Sequence, residues 1–175
     1  MKTPSTRRLW PAVLLLVLGL LLLGACSAKD KTMTLGITGY NYTGDGVQEY
    51  YVNESRGSNL SIFSGGGSTS CCVSLPAHWK PEVNVKIEAN IIHYTQPWKE
   101  QMPWEQFKAC CLARRIFEKT VPVQPYKDNA GGVVQVFFLP DDQIEVWVSP
   151  LSVLHPDHPS KRGYPKNLNP ATESQ

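Results

Sequence analysis

The sequence predicts a mainly β domain of the α+β kind, an antiparallel sheet or a small sandwich carrying one short helix. Three observations carry this. The chain holds fourteen prolines and thirteen glycines among many β-branched and aromatic residues, a mixture that suits short strands joined by ordered turns and defeats a helical bundle. Val83, Val85, Ile87, Ala89 and Ile91 alternate with Asn84, Lys86, Glu88 and Asn90, as in a strand with one face in a core and the other in water. Val133 to Leu139 is nearly continuously apolar, and Ile144 to Val148 alternates after the turn Pro140-Asp-Asp-Gln143. That pair reads as a hairpin.

From the N-terminus, Lys2, Arg7 and Arg8 precede an uncharged, leucine-rich run from Leu9 to Leu23, and Gly24 and Ala25 lead into Cys26. This is the layout of a secretory signal with its cleavage site. An uncleaved membrane helix fits poorly, because the run falls short of the roughly 20 residues a bilayer core asks for and Pro11 interrupts its start. Leu23-Gly24-Ala25-Cys26 resembles the lipobox of bacterial lipoproteins. The resemblance implies a diacylglycerol on the Cys26 sulfur and an acylated N-terminus after cleavage; two or three acyl chains anchor stably, at about 0.8 kcal/mol per buried CH₂. In the lipoproteins it resembles, a serine such as Ser27 in place of an aspartate implies sorting to the outer membrane, facing the periplasm. Residues 1–25 are then a signal peptide, 26–32 a lipidated tether, 33–154 a globular β-rich domain, and 155–175 a proline-rich tail expected not to fold.

Removing residues 1–25 takes three of the seventeen basic residues and none of the fifteen acidic ones, leaving a mature net charge of −1. With no basic block, no electrostatic footprint for nucleic acid is expected. Four cysteines besides Cys26 come as two adjacent couples, Cys71-Cys72 and Cys110-Cys111. In an exported chain disulfides are the first reading. A bridge within a couple strains its ring, whereas a bridge between couples closes a loop of about forty residues, worth roughly 4 kcal/mol. Neighbouring side chains diverge on strand and helix alike, so one such bridge is easier to form than two. A four-thiolate zinc site normally spaces its cysteines two to four apart, which adjacent couples do not.

Within the domain, Thr34 to Tyr42 and Val47 to Val52 read as strands around the turn Gly44-Asp-Gly46, a first hairpin. Asn53 to Ser58 is a polar loop, Asn59 to Phe63 a short strand, and Ser64-Gly-Gly-Gly-Ser68 a turn running into Cys71. The glycines lack both the lysine of a phosphate-binding loop and the last glycine of a nucleophile elbow. His93 falls on the apolar parity of its strand and is expected to be packed. Pro103, Trp104, Phe107 and Cys111 at helical spacing predict a helix to about Lys119. Val121 to Tyr126 is extended by its prolines, Asp128-Asn-Ala-Gly-Gly132 turns the chain, and beyond Pro150 prolines at 156, 159, 165 and 170 leave few apolar anchors.

Several stretches together resemble a family of short bacterial lipoproteins known only as a domain of unknown function. They are Gly39-Tyr-Asn-Tyr42, Gly65-Gly-Gly67 leading to Cys71-Cys72-Val-Ser-Leu-Pro76, Trp79-Lys-Pro81, Val121-Pro-Val-Gln-Pro-Tyr126, Val136-Phe-Phe-Leu-Pro140 and His155-Pro-Asp-His-Pro159, covering residues 35–159. The resemblance implies an association with phospholipase effectors of the type VI secretion system, some members being their immunity proteins. Where that pattern leads one to expect a histidine, this chain has Gln135-Val136-Phe137, which speaks against a shared metal or catalytic histidine there.

The residues themselves point to binding, not catalysis. His78, His93, His155 and His158 are the histidines available, and His155-x-Asp157-His158 has metal-ligand residue types without a rigid surround to orient them. No nucleophile motif, paired-carboxylate spacing, cofactor fingerprint or metal-site pattern is present, so no enzyme, cofactor or metal is expected. Interface anchors are commonly Trp, Tyr and Arg, which makes Trp98 the first partner-binding residue to consider, with the loops at Gly65–Ser70 and Asp141-Asp142 beside it. A structural or accessory envelope lipoprotein without a toxin partner is the alternative.

Overall fold

The computed structural model describes residues 31–96 and 101–166. Cys26, its tether up to Asp30, and Trp98 lie outside the described residues. The elements are β1 (Thr32–Asn41), β2 (Gly46–Val52), β3 (Ser55–Gly57), β4 (Ser64–Gly65), β5 (Ser70–Pro76), β6 (Asn84–Tyr94), α1 (Trp104–Cys111), β7 (Leu112–Pro122), β8 (Val133–Leu139) and β9 (Gln143–Ser149). They form two sheets, a five-stranded one in which β4 and β5 share one side of β1 and β8 and β9 follow on the other, and a four-stranded one ordered β3-β2-β6-β7. The predicted mainly β class with one short helix is what the chain adopts. Among the described residues no helix is long and apolar enough to cross a membrane.

The core lies between the sheets. Leu35, Ile37, Val134, Val136, Phe138, Val146 and Val148 meet Val47, Tyr50, Val52, Val85, Ile87, Ala89, Ile91 and Val121, on one parity of each strand as the pleat requires, except in β2, where a register shift between Val47 and Glu49 puts Val47 on the same side as Tyr50 and Val52. Glycine at two positions makes room for Tyr50: a Cβ at Gly57 would overlap its ring, and one at Gly39 would lie 2.7 Å from its hydroxyl. The sheets join at one edge, where Val123 bridges Val146 in parallel and the Gln124 N–H donates to the Val146 carbonyl at 2.8 Å.

The predicted hairpin β8–β9 forms, with Val133 opposite Ser149 through Leu139 opposite Gln143. The first predicted hairpin does not. β1 and β2 are both strands, but they belong to different sheets. From Leu35 onward β1 is buried on both faces, and a strand so placed needs partners along both edges. β8, in parallel from Gly36 opposite Val133 to Asn41 opposite Phe138, takes one edge, and β4 and β5 take the other.

Further expectations are corrected. The helix stops at Cys111 instead of continuing to Lys119, because residues 112–122 pair with β6 over eleven positions, Tyr94 opposite Leu112 through Asn84 opposite Pro122. Among the described residues the far edge of β6 has no other partner, and that tertiary demand outweighs helical spacing. The predicted strand at 59–63 reduces to a single bridge of Leu60 with Val47, while the loop expected at 53–58 contains β3. The cysteine couples are not joined to each other. Cys71 and Cys72 lie on β5, paired with β1, Cys110 and Cys111 end the helix beside β7, and each sulfur lies against that of its own neighbour.

The chain from 150 to 166 lies across the outer face of the five-stranded sheet. Phe137 and Leu139, with Tyr40, pack there against Val153, flanked by Tyr42 and Trp147. His158 is wholly buried in this layer, its ring 6.1 Å from Phe137 and 6.4 Å from Trp147. The Tyr42 hydroxyl donates to the Gly163 carbonyl at 2.7 Å, and the Tyr164 hydroxyl donates to the Gly65 carbonyl at 3.0 Å. A tail expected to be unfolded from residue 155 is therefore a docked strap as far as residue 166.

Candidate functional site

Strand directions collect one set of loops at one end of the sandwich. β1 and β8 finish there, β2 and β9 begin there, and β6 ends and β7 starts beside them. Residue 31 enters the domain at the opposite end, ten residues of β1 away, which at about 3.3 Å per residue is roughly 30 Å.

A cleft of about 330 Å³ opens at the loop end, between β7 and the β8–β9 turn. Its floor is apolar, with Val47, Ile91 and Phe138 buried and Phe117 and Ile144 half-buried. Its rim carries Asp45, Asp141, Asp142 and Arg115. The fold holds each by a separate device. Asn41, at the end of β1 and fully buried, donates through Nδ2 to the Asp45 carbonyl at 2.6 Å and the Ser61 carbonyl at 2.9 Å. Its Oδ1 accepts from the Thr43 N–H at 3.1 Å and the Thr43 hydroxyl at 2.8 Å. One side chain thus fixes the loop that presents Asp45. Asp141 and Asp142 both have φ of +57°, a backbone region that aspartate tolerates better than most residues.

Two of the three rim carboxylates have partners. Arg115 reaches across the gap with both terminal nitrogens on the Asp142 carboxylate, Nη1 at 2.8 Å from Oδ2, and these hydrogen bonds raise the guanidinium pKa. Lys119 Nζ donates to the Asp142 carbonyl at 3.3 Å. His93 Nδ1 lies 2.7 Å from Asp45 Oδ1. His93 is exposed, not packed as its parity suggests, because β6 has outrun the core by that point. Among the described residues Asp141 has no hydrogen-bond or ion-pair partner.

A histidine oriented by a carboxylate is half of the arrangement that activates a hydroxyl or thiol nucleophile. The other half is not supplied by the cleft's own hydroxyl, since Thr43 Oγ1 is committed to Asn41 Oδ1. The cleft therefore offers apolar surface and negative charge, features suited to holding a group.

The remaining predicted residues are dispersed. His78 pairs with Asp128 at 2.9 Å in an exposed loop at the far end. His155 Nδ1 accepts the Asp157 N–H at 3.1 Å, while His158 is turned away into the strap's core, with Nε2 3.0 Å from Gln135 Oε1 and Nδ1 2.8 Å from Ser160 Oγ. Burial holds the His158 pKa below its ordinary value, and it is no ligand in waiting. Beside it Glu145 is bound by Arg162, Nε at 3.0 Å, which holds the carboxyl below its usual range. Burial pushes the Tyr42 hydroxyl up to about 12. Among the described residues no group of three or more His, Cys, Asp or Glu is placed to hold a metal ion. Of the loops singled out in the sequence, Asp141-Asp142 lines the cleft, Gly65 lies under Tyr164 of the strap, and Trp104 is 54% exposed on the helix. Asp45 and Arg115 were missed: the one reads as turn chemistry in Gly44-Asp-Gly46, the other as a polar position of a helix.

No curated protein matches the chain, nor does any solved structure. A family of proteins of unknown function, DUF3304, matches residues 40–146. That span takes in the whole cleft, from Thr43 to Ile144, and leaves out the strap. Covering well over half of the 175 residues, the match places this chain in the DUF3304 family.

Proposed function

We propose that this chain is a lipid-anchored binding protein of the bacterial outer membrane, facing the periplasm, and that it serves as an immunity protein neutralising a phospholipase effector of type VI secretion. One observation carries the binding part of this reading: the cleft end of the sandwich lies opposite the end at which β1 begins. A lipid on Cys26, six residues before β1, tethers the domain by its far end and presents the cleft away from the bilayer. An arriving enzyme meets that end before it meets phospholipid. The family resemblance supplies the class of partner, and the committed hydroxyl of Thr43 favours holding over chemistry.

Periplasmic co-expression with a phospholipase effector of type VI secretion tests the reading. The expected result is growth in the presence of the toxin and a complex that survives purification. Absence of both rescue and binding overturns it and leaves an envelope lipoprotein whose role must be sought in a deletion phenotype.

A further inference from the structure

We infer that the cleft between β7 and the β8–β9 turn receives a single lysine or arginine side chain of a protein partner, its stem over Phe117 and Ile144 and its charge on Asp141. The inference rests on the binding reading above and names the chemistry of the docking point. The sign comes from the rim. Three carboxylates, Asp45, Asp141 and Asp142, face two cations, Arg115 and Lys119. Arg115 is spent on Asp142 with both of its terminal nitrogens, and Asp45 is hydrogen-bonded to His93, which leaves Asp141 as the rim carboxylate without a partner among the described residues.

The shape of the occupant comes from the floor. Phe117 and Ile144 are half-buried and flank the gap that Arg115 spans, so an apolar stem gains by covering them while its charged head stays at the rim. Lysine and arginine are built this way. At about 330 Å³ the cleft is at the small end of ligand sites and takes one long side chain. A phospholipid fits worse, since its phosphate is repelled by the rim and the cleft lies at the end of the domain away from residue 31.

The test is titration of the ¹⁵N-labelled mature chain in detergent micelles with N-acetyl-arginine amide, using N-acetyl-norleucine amide as the uncharged probe. The expected result is shifts at Asp141, Phe117 and Ile144 with the arginine probe, weaker ones with norleucine, and affinity lowered threefold or more by Asp141→Asn but not by Asp157→Asn, a control in the strap. Asparagine tolerates the +57° φ at this position, so the variant keeps the fold. Equal shifts from both probes, shifts untouched by Asp141→Asn, or shifts produced by phosphatidylethanolamine vesicles in place of the peptide probe each overturn the inference. Capture of the lipase partner separates the two readings: a partner bound equally by wild type and Asp141→Asn removes this docking point and leaves the binding function standing, whereas a chain that captures no partner but passes the titration removes only the function.

Discussion

Replacing His158 by leucine tests whether the strap is held by a specific polar pair or merely by apolar contact. The Ser160 N–H donates to His158 Nδ1 at 3.2 Å, so the ring proton sits on Nε2 and is donated to Gln135 Oε1 at 3.0 Å. Gln135 is itself buried and spends its Nε2 on the Leu151 carbonyl at 2.8 Å. Leucine at 158 strands the Gln135 oxygen away from water, a cost of about 1–3 kcal/mol. It also removes ring contacts with Phe137 and Trp147, at about 0.5–1.5 kcal/mol for such a pair, offset in part by leucine's own burial. The net loss is about 2–4 kcal/mol, a large share of the 5–15 kcal/mol typical of a domain. Urea unfolding of the mature chain should show it as a lower midpoint, and trypsin should cleave after Lys161 or Arg162 faster than in wild type. The double variant Gln135→Leu with His158→Leu removes both partners and should recover at least about 1 kcal/mol of the loss. Additive single costs, or a His158→Leu loss below about 0.5 kcal/mol, would refute the account.

Other outcomes follow from the same structure. Because burial depresses the His158 pKa, the folded chain holds it neutral; its contribution is whole above about pH 6.5 and is lost as pH falls through the folded value, at no more than about 1.4 kcal/mol per pH unit for one proton. Urea midpoints measured between pH 7.5 and 5 should therefore fall less in the double leucine variant than in wild type. The Tyr50 hydroxyl is buried with no partner among the described residues, so Tyr50→Phe should stabilise by about 1 kcal/mol or more, and a lower melting temperature would show that the hydroxyl is satisfied. Reduction should barely move the melting temperature, because each sulfur lies against that of its own neighbour and a bond between adjacent residues closes almost no loop; a fall of several degrees would show that the couples are joined to each other.

Strand existence was legible in the sequence; strand partnership was less so. Alternation states which face of a strand is buried, and on that ground β6 and β9 were readable almost to the residue, while β8 was readable as a continuous apolar run. It does not state which neighbour lies alongside. β1 and β2 look like a hairpin because they are close in sequence and joined by Gly44-Asp-Gly46, and nothing local reveals that β1 is spoken for on both edges. Likewise Trp104, Phe107 and Cys111 have helical spacing, but the need of β6 for an eleven-residue partner is a property of the sheet. The cleft was half legible. Asp141-Asp142 was marked as a loop able to meet a partner, whereas Asp45 becomes part of a rim only because β1 and β2 part company and Asn41 ties the loop between them.

The strap, by contrast, was announced by a signal that composition obscured. A strand with one face in water alternates, yet Val133 to Leu139 does not: Val134, Val136 and Phe138 fill the core while Phe137 and Leu139 point the other way and are equally buried. A continuous apolar run means burial on both faces, so some part of the chain had to cover the outside of β8. Helix α1 is spent at the end of the other sheet, with Phe107 stacked on Tyr94, and the segment that follows β9 is proline-rich. Its few anchors, Val153, His158, Arg162 and Tyr164, suffice because each meets a complementary group already fixed on the sheet. The proline-rich composition stops this segment forming a core of its own, and it folds as a lining for a core that lacks one side. The cleft depends on none of these contacts, since its rim is set by Asn41, Arg115 and the β8–β9 turn. The strap holds the five-stranded sheet closed on its outer face and leaves the cleft at the loop end of the sandwich uncovered.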